Sequence, residues 1–175
     1  NTYQIYEQRL SDPTYAFAHS LIRYELARFD RFFAVPQGMR SGSLSMAAVH
    51  TRFCANYQFD QINMGNENYI LACFEYFLKR QPTESELARC NAMLAGQSEQ
   101  LFLQSGSSKE DFNAIFFSSD AYREGQVIDF FTRYLLRRPT TAEMQRFTNE
   151  YRQHGSYRQL QQSILSLDAY VQGDA

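Results

Sequence analysis

Phe74-Glu75-Tyr76-Phe77-Leu78-Lys79-Arg80-Gln81-Pro82-Thr83-Glu84-Ser85-Glu86 recurs 57 positions later as Phe131-Thr132-Arg133-Tyr134-Leu135-Leu136-Arg137-Arg138-Pro139-Thr140-Thr141-Ala142-Glu143. The Phe, Leu, Arg, Pro-Thr and Glu keep their places. Downstream, Ser118-Ser119-Asp120-Ala121-Tyr122 returns 48 positions later as Ser166-Leu167-Asp168-Ala169-Tyr170. Such self-similarity marks supersecondary units that bury their apolar faces on neighbours. The two offsets differ by nine, so the first copy carries an insertion in the region 97–107. Both flanks survive it, which predicts a loop or an added helical turn, and Leu101-Phe102-Leu103 predicts that it packs down.

Each letter of the repeated element has a physical reason. Ile70, Phe74, Phe77 and Leu78 fall on one face of a helix over about Glu67 to Lys79. Val127, Phe131, Tyr134 and Leu135 do the same between Gln126 and Arg137. Pro82 and Pro139 cannot continue those helices. Thr83 with Glu86, and Thr140 with Glu143, have the capping-box spacing that satisfies two orphan amides of a following helix. A third helix starts at Ser108 in one unit and Ser156 in the other, with Phe112, Phe116 and Phe117 matching Leu160, Ile164 and Leu165 inward. Arg80 and Arg137 are expected to pair with a carboxylate of their own unit. The candidates are Asp120 or Glu86 in the first and Asp168 or Glu143 in the second, with the Asp at the end of the third helix.

The N-terminal third reads as helical too. Asp12-Pro13 starts a helix of about 22 residues whose apolar line is Tyr15, Ala18, Ile22, Leu26, Phe29 and Phe33, with Arg23, Arg28 and Arg31 off it. Pro36 and Gly38 are expected to end it. A shorter helix precedes it over Asn1 to Leu10, and after a turn at 37–43 another covers Leu44 to Tyr57. Ser43 to Val49, with Cys54-Ala55-Asn56-Tyr57, reads as a decayed third copy. The fold class is therefore all-α. A single domain over 1–175 comprises N-terminal helices (1–64), repeat unit 1 (65–124) and repeat unit 2 (125–175).

Composition narrows the function. A chain of 175 residues buries about two-thirds of its unfolded surface without metal or disulfide. Net charge is −2 and the pI ≈ 5.9, which argues against a nucleic-acid-binding domain. Of the 17 basic residues only Lys79 and Lys109 are Lys, and Arg favours planar pairing with carboxylates and aromatic faces. No apolar run is long enough to span a bilayer. The start at Asn1, without Met or signal peptide, reads as a processed end or a segment boundary.

The signature Phe-x-x-x-Leu-x-Arg-x-Pro-Thr-x-x-Glu-Leu, then a short amphipathic helix ending in Ser-x-Asp-x-Tyr, resembles the small helical modules of unknown function found in tandem on bacterial surface and exported proteins. It is similar in layout to the linker domain of phycobilisomes. Both resemblances cover about Glu67 to Tyr170. The chain departs from those modules in having Pro-Thr where many carry a Gly- or Asp-containing turn, and in lacking their Gly after the Leu. The resemblance implies a scaffold or interaction role in the bacterial periplasm, outer-membrane surface or extracellular space, and carries no catalytic residues.

The strongest alternative is chemical. His50 and Cys54 stand four apart on one helical face, the minimum of a Cys–His nucleophile pair or of a small-ligand site. Cys54, Cys73 and Cys90 are odd in number, lack a C-x-x-C spacing and have apolar neighbours, so buried free thiols are preferred to a disulfide or zinc framework. There is no phosphate loop, H-E-x-x-H, G-x-S-x-G or EF-hand pattern. The expectation is a non-enzymatic protein, without cofactor or metal, that binds other proteins or copies of itself. Tyr3, Tyr6, Tyr57, Phe59, Tyr151 and Tyr157 lie at the edges of the core stripes and are the expected interface.

Overall fold

A computed structural model describes residues 1–167. Asn1 caps the first helix, α1 (Thr2–Ser11), through a capping box with Gln4. Asp12 then accepts from the Thr14 amide at 2.9 Å, while the Tyr15 amide reaches only three residues back to the Asp12 carbonyl. That contact opens the next segment as a 3₁₀ turn, Pro13–Ala18, before α2 (His19–Phe33) begins. The single helix expected here is thus split.

Pro36 does not end a helix. It sits in the first turn of α3 (Val35–Ser41), where its missing N–H costs nothing. Gly38 is buried beneath Leu44, and Gly42, at φ 69°, makes the left-handed stop. The helix expected over Leu44 to Tyr57 is likewise divided into α4 (Met46–Cys54) and α5 (Tyr57–Ile62). Asn56 interrupts it, donating to the Phe53 carbonyl and accepting from the Phe59 amide. Asparagine offers the backbone an alternative partner, so the helix stops and restarts.

The repeated units follow. α6 (Asn66–Cys73) runs into a π-helical turn, Phe74–Leu78, and the Pro82 corner leads to α7 (Glu84–Leu94). The insertion then folds as an antiparallel hairpin, β1 (Glu99–Leu101) with β2 (Gln104–Gly106), in place of a loop or helical turn. Phe102 and Leu103 form its tip at φ 48° and 66°, a conformation usually left to Gly or Asn. The Phe102 ring lies against Phe74 and Phe116, and Leu101 is buried, so the hairpin is pinned to the core. Leu103, by contrast, points to solvent.

α8 (Lys109–Ser118) is capped by Ser108 as expected, and α9 (Asp120–Tyr134) by Ser119. Asp120 therefore opens a helix instead of closing one, and the division expected between 124 and 125 falls inside α9. α10 (Thr141–His154) and α11 (Tyr157–Leu165) complete the described chain. One core of aromatic and aliphatic side chains runs through both units, with Phe74, Phe112, Phe116, Phe131 and Phe147 fully buried. α1 and α2 form a second cluster around Phe29.

The units meet where α9 crosses the π turn. A Cβ on Gly125 would overlap the Phe77 carbonyl oxygen and come within 2.8 Å of Leu78 Cα. Beside it the buried Gln126 amide donates to that same carbonyl at 3.3 Å, a partner for an oxygen displaced from the regular helical ladder. Only glycine permits this approach. We expect Gly125→Ala to lower stability by about 3 kcal/mol, read as the urea midpoint. An unchanged midpoint would mean that the two helices are free to separate.

Candidate functional site

The two corners have one geometry. Lys79 and Leu136, the residues before each Arg, are left-handed at φ 57° and 53°. Arg80 then makes two bonds to the Glu86 carboxylate at 2.7 and 2.6 Å, and Arg137 two to Glu143 at 2.8 and 2.7 Å. Each guanidinium also donates to the following carbonyl, at 3.0 and 3.1 Å. Each lies over the unit's first Phe, Arg80 at 5.0 Å from Phe74 and Arg137 at 5.1 Å from Phe131. The same Glu accepts from the amide of its N-cap Thr at 2.8 and 2.7 Å.

Of the carboxylates expected for these arginines, the capping Glu is the partner. Asp120 instead takes Arg152 of α10 and Arg123 of its own helix. Asp168 lies outside the described residues. The Arg contact and the backbone amide hold Glu86 below the usual carboxylate range and bring Glu143 to about 2.

His50 and Cys54 face different partners. His50 Nδ1 lies 2.8 Å from the Tyr122 hydroxyl, 72 residues away, and its ring packs at 4.8 Å on Phe77. The Tyr122 contact ties α4 to α9. Burial pushes the His50 pKa down to about 4, so the ring is neutral at pH 7 and shares a hydrogen bond between Nδ1 and the Tyr122 hydroxyl. Cys54 is fully enclosed, and burial, with the Cys73 thiol as a further cause, drives its pKa far above the thiol range. Burial also pushes Cys90 up to about 12. All three thiols are free and buried, and neither Cys54 nor Cys90 is held as a thiolate at neutral pH.

The six aromatics expected at an interface turn onto neighbours of their own chain. Tyr3, Tyr6 and Tyr57 surround Phe29, with Tyr3 also hydrogen-bonded to Asp30. Phe59 meets Tyr69 edge-on at 5.3 Å and Tyr157 lies 4.6 Å from Phe130. Tyr151 is buried.

A polar centre not foreseen from the sequence lies where α2, α5 and α8 converge. Arg28, 9% exposed, donates to Glu25 at 2.8 Å, to Asp60 at 2.5 Å and to the Ala55 carbonyl. Lys109 pairs with the same Asp60 and stands 3.8 Å over the Tyr69 ring. Tyr24 donates to Glu110 of α8 at 2.5 Å. Arg28 stood apart from the apolar line of α2. Only Glu25 lies at a local helical spacing from it, while Ala55 and Asp60 lie 27 and 32 residues away, beyond the reach of any spacing rule.

Among the described residues, no three His, Cys, Asp or Glu side chains gather as metal ligands would, and no helix is long and apolar enough to cross a membrane. Comparison with protein-family models, with curated proteins and with solved structures finds no match to this chain.

Two outcomes follow from this geometry. Glu86→Ala and Glu143→Ala each remove a cap and a clamp, and should lower stability by similar amounts, about 1–2 kcal/mol in chemical unfolding. Clearly unequal losses would show that the corners are not equivalent. For His50, the unfolded state binds a proton below pH 6.5 while the folded state stays neutral to about pH 4. Stability should therefore be level above pH 6.5 and fall between 6.5 and 4 by on the order of 2–3 kcal/mol. His50→Gln should flatten that window in thermal melts taken across it.

Proposed function

We propose that this chain is a non-enzymatic helical repeat module that binds or positions other proteins. The observation that carries the reading is the duplicated clamp: the parts copied between units are caps, an Arg–Glu pair and core rings. Duplication has preserved a shape, with no reactive group among the copied residues. The side chains with most chemical potential are enclosed, since Cys54, Cys73 and Cys90 are fully buried and His50 is held by Tyr122. That weighs against a thiol-dependent or small-ligand enzyme built on His50 and Cys54.

The resemblance of the repeated signature to tandem bacterial surface modules and to phycobilisome linkers supports the same role. It is also the ground for preferring an envelope or extracellular setting to the cytoplasm. Scaffold modules of this kind act through rigid presentation of surface, which the bidentate corners and the Gly125 crossing supply.

Crosslinking of the tagged chain in its native cells, read by mass spectrometry and combined with sedimentation, tests the proposal. Specific crosslinks to other proteins or to a second copy are expected. Iodoacetamide should label Cys54 only as fast as the chain globally unfolds. An inert monomer without crosslinks, or rapid labelling of Cys54 in the native state, overturns it.

A further inference from the structure

α2 carries a second stripe beside its buried face. Phe17, Leu21, Tyr24, Arg28 and Arg31 succeed one another at spacings of four, three, four and three, a heptad pattern that begins in the 3₁₀ turn. The apolar members are open to solvent: Phe17 is 87% exposed, Leu21 62% and Tyr24 44%. The stripe leads into a groove between α2, α4 and the start of α8. Two adjoining depressions of about 290 and 240 Å³ share Arg28, Arg31, Thr51 and Ala55. Their floor is the outward face of α4, where Ala48, Thr51 and Ala55 are small enough for another backbone to approach closely.

The charges of this groove do not balance. Arg28 is neutralised by Glu25 and Asp60, Lys109 by Asp60, and Glu110 accepts from Tyr24. Arg31 and Arg52 have no carboxylate partner among the described residues. Their only hydrogen bonds there run to backbone, Arg31 to the Ala27 carbonyl and Arg52 to the Arg31 carbonyl at 3.0 Å. Two uncompensated guanidiniums therefore stand at one end of a surface whose other end is apolar.

We infer that this groove docks an acidic amphipathic helix of a partner protein, with apolar residues on Phe17, Leu21 and Tyr24 and carboxylates on Arg31 and Arg52. The heptad spacing favours a helix, because side chains repeating every three and four residues mesh with a partner of the same period. The arginines set charge preference and orientation, while the apolar stripe supplies the buried area. This inference rests on the reading of the chain as an interaction module and names the partner class.

Selection from a random display library of peptides about 20 residues long, enough for about five helical turns, tests it on the intact chain. The enriched sequences should carry apolar residues at three- and four-residue spacing, followed within two turns by Asp or Glu. Their affinity should fall about tenfold or more in the Arg31→Glu, Arg52→Glu double variant and again in Leu21→Lys, with thermal melts showing each variant folded. Peptides with lysine at the acidic positions should prefer the double variant. Enriched peptides that bind the double variant as tightly as the parent, or that carry no acidic positions, overturn the inference. So does failure to enrich any peptide. In each of those cases the crosslinking result above decides the module reading independently.

Discussion

The bidentate Arg–Glu clamp ties three levels of the structure to one side chain. Its guanidinium lies on the first Phe of the unit, its two N–H forks meet the Glu carboxylate, and that carboxylate also holds the N-cap amide of the next helix. Core, corner and helix start are thereby fixed relative to one another. The left-handed residue just before each Arg, a Lys in one copy and a Leu in the other, has no intrinsic liking for that conformation. The surrounding contacts impose it. A side chain about 40% exposed gains little from charge alone, so the clamp works through geometry, as a planar fork with a single fitting orientation.

The interior shows the same economy with polar groups. Arg28 is compensated by two carboxylates and a carbonyl, Asn113 accepts from Tyr69 at 2.7 Å, and Gln126 serves the freed Phe77 carbonyl. Buried polar atoms left unpaired destabilise a fold, and these three side chains instead join elements distant in sequence. The aromatic surplus has a parallel explanation. Rings fill a second cluster around Phe29 that anchors α1 and α2 beyond the repeats, and Tyr3, Tyr6 and Tyr57, expected at a surface, reside there.

What could be read from the residues follows the range of the forces involved. Capping boxes, proline corners and the apolar faces of the repeats are local, and they stand where spacing puts them. The choice of Glu over Asp for the arginines was open in the sequence, since both belong to the arginine's own unit. Three features were hidden. The Phe102-Leu103 hairpin tip lacks Asn or Gly, so its turn chemistry gives no warning, and only the packing of Phe102 on Phe74 and Phe116 sustains it. Asn56 looks like any helix-surface residue until its two backbone bonds are seen. His50 sits four residues from a thiol, yet its partner is a tyrosine 72 residues on. The heptad stripe at Leu21, Tyr24, Arg28 and Arg31 was present in the spacing, masked by the stronger apolar line beside it.

Helix α9 belongs to both copies at once: its first half lies across the π turn of the earlier unit, and its second half is the opening helix of the later one. Excising a single copy by cutting the chain at the apparent midpoint of the duplication would bisect a continuous rod and strip the glycine seat from the fragment left behind. Shortened versions should therefore keep α9 whole. New termini or inserted sequences belong at the Gly96 or Gly155 bends, where the polypeptide already reverses direction and a Cβ would meet nothing within 4 Å.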